Sequence, residues 1–352
     1  MLTLIAFVLV LAVVIVVHEL GHFTLAKLLG AAVDRFSFGF GPRLVGKRIG
    51  ETEYRISALP LGGYVKLLGE RPDEPMPEYA RGLPYHALSM WKRIAIVVAG
   101  PLFNMIAAFL ILTFSLLAFG LPVLTPKVGE VEPGSPAAQA GLRAGDRIES
   151  IDGVPVARWE DLPSRLEDKA GSSVRMTVLR DDARVELSVT PKLGRAPTPL
   201  GEEVERPLIG VGPAGDVVVQ DVGIGSAPAL AARHTWNAVA LTYAAVAGLL
   251  TGNVSLRNLA GPVAIAEMSG EATRAGPQVL LSFIALLSVN IAVLNLLPLP
   301  VLDGGRLVLL LIELVRRRPL KLETQLAIQS IGAALLLALT VFVLWNDLAR
   351  LR

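Results

Sequence analysis

The sequence has no cysteine, only four histidines, and few aromatic (6%) or charged (18%) residues. Without thiols, no disulfide can crosslink the chain, and no cysteine can act as a nucleophile or a metal ligand. Any metal held by the protein must therefore sit on imidazole and carboxylate groups. The formal net charge of +2 is close to neutral, which predicts no nucleic-acid partner.

Apolar residues make up 53% of the chain, and the mean hydropathy is +0.56. Such values exceed those of soluble domains of this length and predict a membrane protein. Four stretches are long enough to span a bilayer as helices, which takes about 20 residues. They run over 1–27, 94–119, 279–299 and 327–345. The first lacks the cleavage site of a signal peptide, so we expect it to stay in the protein.

A block of about 160 residues between the second and third stretches is charged and rich in turns, which predicts a separate domain. Its segments 132–138 (EPGSPAA) and 140–148 (AGLRAGDRI), with strand-like runs at 174–179 and 185–189, resemble a PDZ domain. That module binds extended peptides at a sheet edge. The alternative is a small β-rich spacer without a ligand. The apolar run within 229–250 is short and suits an interfacial or re-entrant helix.

Together these features predict a multi-pass α-helical membrane protein with about four transmembrane helices, an inserted α+β PDZ-like domain and a short membrane-associated β-hairpin region. The hairpin is predicted from alternating residues and glycine-containing turns between Arg35 and Leu68, and a cytoplasmic sheet without a role in the site is the alternative. The predicted division is a first transmembrane helix (1–27), a cytoplasmic-side loop with the hairpin (28–93), a second transmembrane helix (94–120), the PDZ-like domain (121–215), a connector with an interfacial helix (216–278), a third transmembrane helix (279–305), and a basic loop with the fourth transmembrane helix (306–352).

Orientation follows from basic residues near the ends of the spans. Lys and Arg are frequent in the connections after the first and the third span, including Arg316, Arg317 and Arg318. The positive-inside rule then makes both connections cytoplasmic and the PDZ-like domain extracytoplasmic. Arg350 and Arg352, near the end of the chain, point weakly to the other orientation.

The end of the first span carries His18-Glu19-Leu20-Gly21-His22, an H-E-x-x-H motif. Residues four apart share a helix face, so both imidazoles can bind one cation, and Glu19 can take a proton from metal-bound water. The alternative is a chance match with structural histidines. Ionisable residues at the end of a membrane helix are costly, however, and mark functional sites by default. The motif therefore predicts a zinc metalloprotease.

A catalytic zinc has three protein ligands and one open position, so a third ligand is needed. The better candidate is Asp303, in the run Asn295–Gly305, where Pro298 and Pro300 break the helix next to a polar site. The first and third spans are predicted to be parallel. Asp303 and the histidines would then lie at the same cytoplasmic face.

Other readings of these acidic residues remain open. Glu51 or Glu53 would lie at the distance of a zincin-like third ligand, but both are in a polar connection with no helical pattern. Asp303 is also compatible with a turn residue before Gly304, since Asp-Gly is a common turn signal.

At this point the chain resembles the site-2 protease family, in particular the bacterial regulator of sigma-E protease group. The resemblance rests on H-E-x-x-H, the segments 100–104 (GPLFN) and 261–266 (GPVAIA), the PDZ-like block, and the N-x-x-P-x-P-x-L-D-G run. It implies that His18, His22 and Asp303 hold Zn²⁺, that Glu19 is the general base, and that Asn295 positions substrate or its oxyanion. Better-known members have two PDZ domains, whereas this chain has one.

The expected function is hydrolysis of peptide bonds in or near the transmembrane segments of single-span membrane proteins, such as anti-sigma factors or remnant signal peptides. The expected partners are the lipid bilayer and substrates trimmed beforehand by another protease. The expected location is the bacterial inner membrane, with the active site near its cytoplasmic face. A catalytically silent PDZ scaffold with structural zinc is the alternative, but Glu19 would have no role there. A transporter is a weaker rival, because its metal site would lie at the midplane.

Overall fold

The computed structural model describes residues 1–71, 74–197, 203–256, 259–318 and 320–350. The chain forms two compact units. Met1–Ser115 and Gly225–Arg352 make up the first, which we call the helical unit, and Leu116–Ile224 makes up the second, the inserted unit.

Long apolar helices dominate the helical unit. They are α1 (Leu2–Leu28), α2 (Met90–Phe119), α5 (Ala227–Thr251), α6 (Pro262–Ala275), α7 (Pro277–Asn295), α8 (Asp303–Arg316) and α9 (Leu322–Arg350), while α3 and α4 belong to the inserted unit. Among the described residues, four helices are long and apolar enough to cross a membrane, namely α1, α2, α7 and Glu323–Ala349 within α9. The prediction of four apolar, membrane-length helices is therefore confirmed.

The third span, predicted over 279–299 within the segment 279–305, ends earlier in the structure, and a second helix follows it. The helix ends at Asn295, a short irregular segment follows, and Asp303 is the first residue of the separate helix α8. Pro298 and Pro300 explain the interruption, because neither has a backbone N–H to continue the helix. The basic loop expected after 305 likewise begins as a helix, with Arg316 in its last turn.

The connector expected at 216–278 contains two helices, α5 and α6. The first packs on α7, where the Thr242 hydroxyl donates to the side-chain Oδ1 of Asn290 at 2.8 Å and Val239 is buried with Val289. The second packs beside the first half of α1, where Ile265 joins Val10 and Val14 in an apolar cluster. Both helices therefore contact the elements that carry the candidate site.

The amino end of α6 is held by a carboxylate from the last helix. Asp347, only 3% exposed, accepts hydrogen bonds from the backbone amides of Gly261, Val263 and Ala264 at 3.0–3.2 Å. These are amides that a helix leaves without internal partners, and burial makes an unpaired amide costly. Gly261 is required because a Cβ at that position would collide with the Asp347 carboxylate.

Replacing Asp347 with alanine should lower the free energy of unfolding by about 3 kcal/mol, because several buried amides lose their acceptor. Leu348→Ala is the matched control, since Leu348 is the next residue of α9 and is 50% exposed. Thermal unfolding of both purified variants in detergent measures the difference. Equal melting temperatures would show that the carboxylate does not stabilise α6.

The chain between α1 and α2 forms a folded antiparallel sheet of β1 (Val33–Ile49) and β2 (Thr52–Leu67). Both strands bend back on themselves, so that Phe36 pairs with Tyr54 on one side and with Val65 on the other. The stretch from Gly63 to Leu67 is therefore an edge of this sheet, with strand β1 on one side only.

Ion pairs fix this sheet to the end of α1. Glu51 is 5% exposed and accepts from Lys27 Nζ at 2.5 Å and from the amides of Arg81 and Gly82 at 2.6 and 3.0 Å. Burial alone would raise the pKa of Glu51, but these hydrogen bonds outweigh it and hold the pKa below its ordinary value. The carboxylate thus stays charged and anchors the sheet.

The inserted unit is built around a four-stranded antiparallel sheet in the order β6 (Val154–Pro155), β5 (Arg147–Ile151), β7 (Val174–Arg180) and β8 (Ala183–Val189). Its core includes Val128, Ile148 and Met176, all fully buried. The elements are β3 (Leu121–Leu124), β4 (Val128–Val131), α3 (Pro136–Gln139), β5 (Arg147–Ile151), β6 (Val154–Pro155), α4 (Leu162–Leu166), β7 (Val174–Arg180), β8 (Ala183–Val189), β9 (Lys192–Pro197), β10 (Glu203–Leu208), β11 (Val211–Pro213) and β12 (Val217–Gln220). Three smaller pairings, β9 with β10, β4 with β11 and β3 with β12, complete the unit.

Candidate metal centre and active site

The two histidines of the motif lie one turn apart on α1 with their Nε2 atoms 3.3 Å from each other. His22 Nδ1 lies 2.8 Å from the Ile96 carbonyl oxygen, which only accepts, so Nδ1 carries the proton and donates it. The Nε2 of His22 is then left with a lone pair. A carbonyl partner of this kind is the usual device that orients a metal-binding histidine.

Asp303 completes the group from α8. Its Oδ2 lies 3.1 Å from His18 Nε2 and 3.2 Å from His22 Nε2. This oxygen is buried and has no well-aligned hydrogen-bond donor among the residues that the structure describes. Within the same described part of the chain, His18, His22 and Asp303 are the one group of three such side chains close enough to share a metal ion.

The spacing of the three atoms suits a tetrahedral zinc ion. Ligands at the usual Zn–N and Zn–O distances of about 2.0–2.1 Å have edges of roughly 3.3 Å in a tetrahedron. The three observed separations, 3.1, 3.2 and 3.3 Å, match that edge. The residues present therefore fit the metal, and the fourth corner is free for substrate or water.

The other acidic residues weighed as third ligands make different contacts. Glu51 is bound to Lys27 and to two backbone amides, and Glu53 pairs with Arg35 at 3.2 Å and Arg43 at 2.8 Å. Both serve the β1–β2 sheet. Neither belongs to the histidine group.

A cavity of about 520 Å³ opens beside the three ligand atoms. Glu19 and Asn295 line it together with the histidines, and Asn295 Nδ2 lies 3.3 Å from His18 Nε2. All five residues singled out from the sequence are thus brought together. A carboxylate and an amide donor beside one metal position are the groups that peptide hydrolysis requires.

The edge strand of the β1–β2 sheet forms one wall of this cavity. Gly62, Gly63 and Tyr64 line it, and Gly63 packs so closely on α1 that a Cβ there would lie 3.1 Å from Glu19 Cγ. It would also lie 3.0 Å from the Ser37 carbonyl oxygen, which belongs to rigid backbone. A side chain at this position would therefore fit only if its neighbours moved by a few tenths of an ångström.

Gly63→Ala should lower the rate of peptide hydrolysis about 10- to 100-fold, because the methyl group displaces Glu19 or the strand by part of an ångström. Zinc content should stay at the wild-type level, since no ligand is touched. Gly225→Ala is the control, because a Cβ at Gly225 meets nothing within 4 Å. Unchanged hydrolysis by the Gly63 variant would show that the strand tolerates displacement.

Two close contacts of α2 were not foreseen from the sequence. A Cβ on Gly21 would collide with the Ala99 carbonyl, and one on Gly100 would collide with the His22 ring and lie 2.9 Å from His18 Cε1. The helices α1 and α2 therefore touch through two glycines at the level of the histidines. The GPLFN segment was noted as a motif, but only the packing reveals this role.

Tyr85 and Arg306 also line the cavity and were not predicted. Burial raises the pKa of the Tyr85 phenol to about 12, so the hydroxyl stays protonated throughout the physiological range. Arg306, one turn after Asp303 on α8, brings a positive charge to the same wall. No sequence signal separates these residues from other polar residues near the spans.

Comparisons with known proteins agree with this geometry. The sequence profile of Peptidase family M50 matches residues 6–339. A protein from Mesorhizobium japonicum, named provisionally as a zinc metalloprotease, is 37% identical and aligns over 98% of both chains. A similarly named protein from Campylobacter jejuni is 36% identical over 98% of this chain and 93% of its own. The regulator of sigma-W protease RasP of Bacillus subtilis is 30% identical over 99% of both.

Among solved structures, the PDZ domain of an SdrC-like protein from Listeria monocytogenes is 26% identical, covering 24% of this chain and 82% of its own, with a TM-score of 0.20.

Apolar membrane-length helices and an H-E-x-x-H pair completed by an aspartate define a membrane metalloprotease. The chain belongs to peptidase family M50, the site-2 proteases. It is a zinc metalloprotease with helices of membrane-spanning length. The alternative of a catalytically silent scaffold is therefore wrong.

Proposed function

We propose that this protein cleaves peptide bonds in or near the transmembrane segments of single-span membrane proteins, as in regulated intramembrane proteolysis. His18, His22 and Asp303 would hold the zinc, Glu19 would be the general base, and Asn295 would position the substrate. The observation that carries this proposal is the convergence of three ligand atoms within 3.3 Å beside Glu19, on a helix of membrane length.

The reaction needs few groups. The zinc that His18, His22 and Asp303 would hold would polarise a peptide carbonyl and lower the pKa of water toward about 7. Glu19 takes the proton of the attacking water and returns it to the leaving nitrogen. The Asn295 amide donates to the carbonyl oxygen as negative charge develops on it. The side chains used in these steps all line the same cavity.

A transmembrane substrate must unwind before it is cut, because a helix keeps its carbonyls in internal hydrogen bonds. Among the described residues, the edge strand Gly63–Leu67 pairs with β1 alone, so the unwound segment would add to the sheet as a further strand on its other side. Strand addition would hold the scissile bond extended next to Glu19, since Gly63 packs on that residue. We therefore assign the sheet a role in substrate binding.

The substrates would be single-span proteins already trimmed by another protease, for example anti-sigma factors or remnant signal peptides. In the proposed orientation the inserted unit is extracytoplasmic and PDZ-like, and the zinc is near the cytoplasmic face. Basic residues near the span ends support this orientation. The inserted unit is tethered at both ends to membrane helices, so a bulky outside domain on a substrate would compete with it for room.

The proposed function can be tested with purified protein in proteoliposomes and a single-span substrate of known sequence. Mass spectrometry of the products should locate the cut within or beside the transmembrane segment, with chelator abolishing it. Cleavage confined to water-exposed segments would contradict the proposal.

The size restriction can be tested by removing the inserted unit. Leu124 and Val217 are paired neighbours in the β3–β12 ribbon, so residues 125–216 can be replaced by an Asn-Gly turn that closes a hairpin. The shortened protein should keep its zinc and cleave an untrimmed single-span substrate that the full-length protein spares. If it cuts neither trimmed nor untrimmed substrate, the unit recruits substrate instead of restricting it.

A further inference from the structure

The ribbon of β3 and β12 in the inserted unit has an apolar face on which Pro122, Val217 and Val219 are exposed and Leu124 is half-buried. Leu124 pairs with Val217 and Pro122 pairs with Val219, so these four side chains share a face. Val217 is 56% exposed and Val219 is 54% exposed. We call these four residues the ribbon face, and it contains no charged or polar side chain. On the other face, Val123 is 7% exposed, whereas its partner Val218 is 52% exposed.

The ribbon follows directly on a membrane-length helix. Helix α2 ends at Phe119 and strand β3 begins at Leu121, with Gly120 between them at φ +73°. This left-handed conformation turns the chain away from the helix axis and is one that glycine adopts without strain. After β12, the chain passes through Ile224, which is 82% exposed, to helix α5 at Ala227. The start of β3 and the end of β12 are paired at one end of the ribbon, and from there the chain leads to the helical unit in both directions.

The length of the ribbon, compared with the thickness of the bilayer interface, indicates how the ribbon would be oriented at a membrane. Four residues of strand span about 13 Å. The polar interfacial layer on each side of a bilayer is roughly 5–7 Å thick. An upright ribbon would carry Leu124 and Val217 through this layer into water, whereas a flat one would place all four side chains against lipid. The turn at Gly120 allows the flat arrangement.

We propose that the ribbon face rests on the lipid surface of the bilayer, on the side that carries the inserted unit. A protein partner is a poorer fit, because four side chains offer far less than the roughly 800 Å² per partner of a stable interface. The contact continues the lipid contact of α2 without a break in the chain. It would fix the base of the inserted unit at the membrane.

The absence of cysteine makes this testable in the full chain without prior substitutions. Val217→Cys and Val219→Cys would each carry a nitroxide label in proteoliposomes, with Val154→Cys, at a valine 41% exposed on β6, as the control. Both ribbon labels should collide with oxygen and lose collisions with a water-soluble nickel complex, while the control label shows the reverse. Ribbon labels open to the nickel complex would overturn the proposal. Labels shielded from both reagents would also overturn it, because they would indicate a protein cover.

A second and independent inference concerns Asn104 of α2. Asn104 is fully buried, and both its Oδ1 and its Nδ2 lack a hydrogen-bond partner among the described residues. His18 Nδ1 is buried and lacks a partner in the same way. By contrast, Nδ1 of the other histidine, His22, lies 2.8 Å from the Ile96 carbonyl oxygen. Buried polar groups are rarely left without a hydrogen-bond partner, so these two unpaired groups near one metal centre need an explanation.

The two groups lie on facing surfaces. Asn104 is four residues after Gly100 and therefore shares its helix face. A Cβ on Gly100 would lie 2.9 Å from His18 Cε1, the ring atom bonded to Nδ1. We infer that Asn104 Oδ1 accepts the Nδ1–H of His18, directly or through one water, in the zinc-bound protein. Asn104 would then be a positioning residue that keeps the Nε2 lone pair of His18 on the metal.

Asn104→Leu should lower zinc affinity about 10- to 100-fold, the usual effect of losing such a partner. Asn104→Asp keeps the acceptor and should retain affinity. Ser115→Ala is the control, because Ser115 is another buried polar residue of α2, 3% exposed. Competition with a chelator measures affinity, and the absorption spectrum of the cobalt form reports ligand geometry without activity. Unchanged affinity in the leucine variant would overturn the inference. If that variant does not fold, loss of affinity in the aspartate variant would overturn it.

Discussion

Replacing Glu19 with glutamine should leave zinc bound and reduce peptide hydrolysis about 10²- to 10⁴-fold, the range expected for loss of a general base. Glutamine keeps the size of the side chain and its place in the cavity, but it cannot accept the proton of the attacking water. None of the three ligand atoms belongs to Glu19. The effect should therefore fall on the rate and spare the metal.

Zinc content by elemental analysis and cleavage of a single-span substrate, measured on one preparation, test this expectation. Glu267→Gln is the matched control, because Glu267 lies on α6 and is exposed. Wild-type cleavage by the Glu19 variant would remove this residue from the proposed mechanism. Loss of zinc together with activity would instead make Glu19 a residue that supports the metal centre.

Helix periodicity explains why so much of this site could be predicted. Residues four apart on a continuous helix must share a face, so His18 and His22 are brought together by local geometry alone. The proline-containing segment after α7 marks the other half, because Pro298 and Pro300 must end a helix near Asp303. The long apolar runs are similarly local signals, and all four appear as helices.

The missed features depend on contacts between distant parts of the chain. Gly63 reaches Glu19 only because strand β2 folds back along β1, a register that β patterns with several glycines do not specify. Asp347 meets the start of α6 across more than 80 positions of sequence. A lone aspartate near the end of an apolar helix gives no indication of which helix it caps.

The end of the third span, predicted at about 299 within a segment 279–305, differs from the structure for another reason. The sequence shows that two prolines interrupt the helix, but it does not show whether the following residues resume a helix. They do so at Asp303. Gly304 and Gly305 pack against the backbone of the preceding segment, where any Cβ would collide with the carbonyls of Leu296, Leu297 and Leu299. This close packing sets the position of the Asp303 carboxylate.

Asp303→Asn should lower zinc affinity by at least about 100-fold, which is more than the loss of a residue that only orients a ligand. Activity should fall with it. A neutral amide oxygen is a poorer zinc ligand than a carboxylate. Folding should be little affected, because asparagine also suits the start of a helix and the lost charge contributes only about 0.3–1 kcal/mol there. Loss of zinc would thus not follow from unfolding.

Chelator competition and thermal unfolding of the same variant separate these two effects. Asp182→Asn is the control, because Asp182 is exposed in the β7–β8 turn with φ +63°, a conformation that asparagine accepts. Full zinc occupancy in the Asp303 variant would move the third ligand elsewhere. Glu51 and Glu53 would be poor replacements as zinc ligands, because Glu51 already pairs with Lys27 and Glu53 pairs with Arg35 and Arg43. Such an outcome would therefore require a rearranged site, which the cobalt spectrum of the variant would reveal as altered ligand geometry.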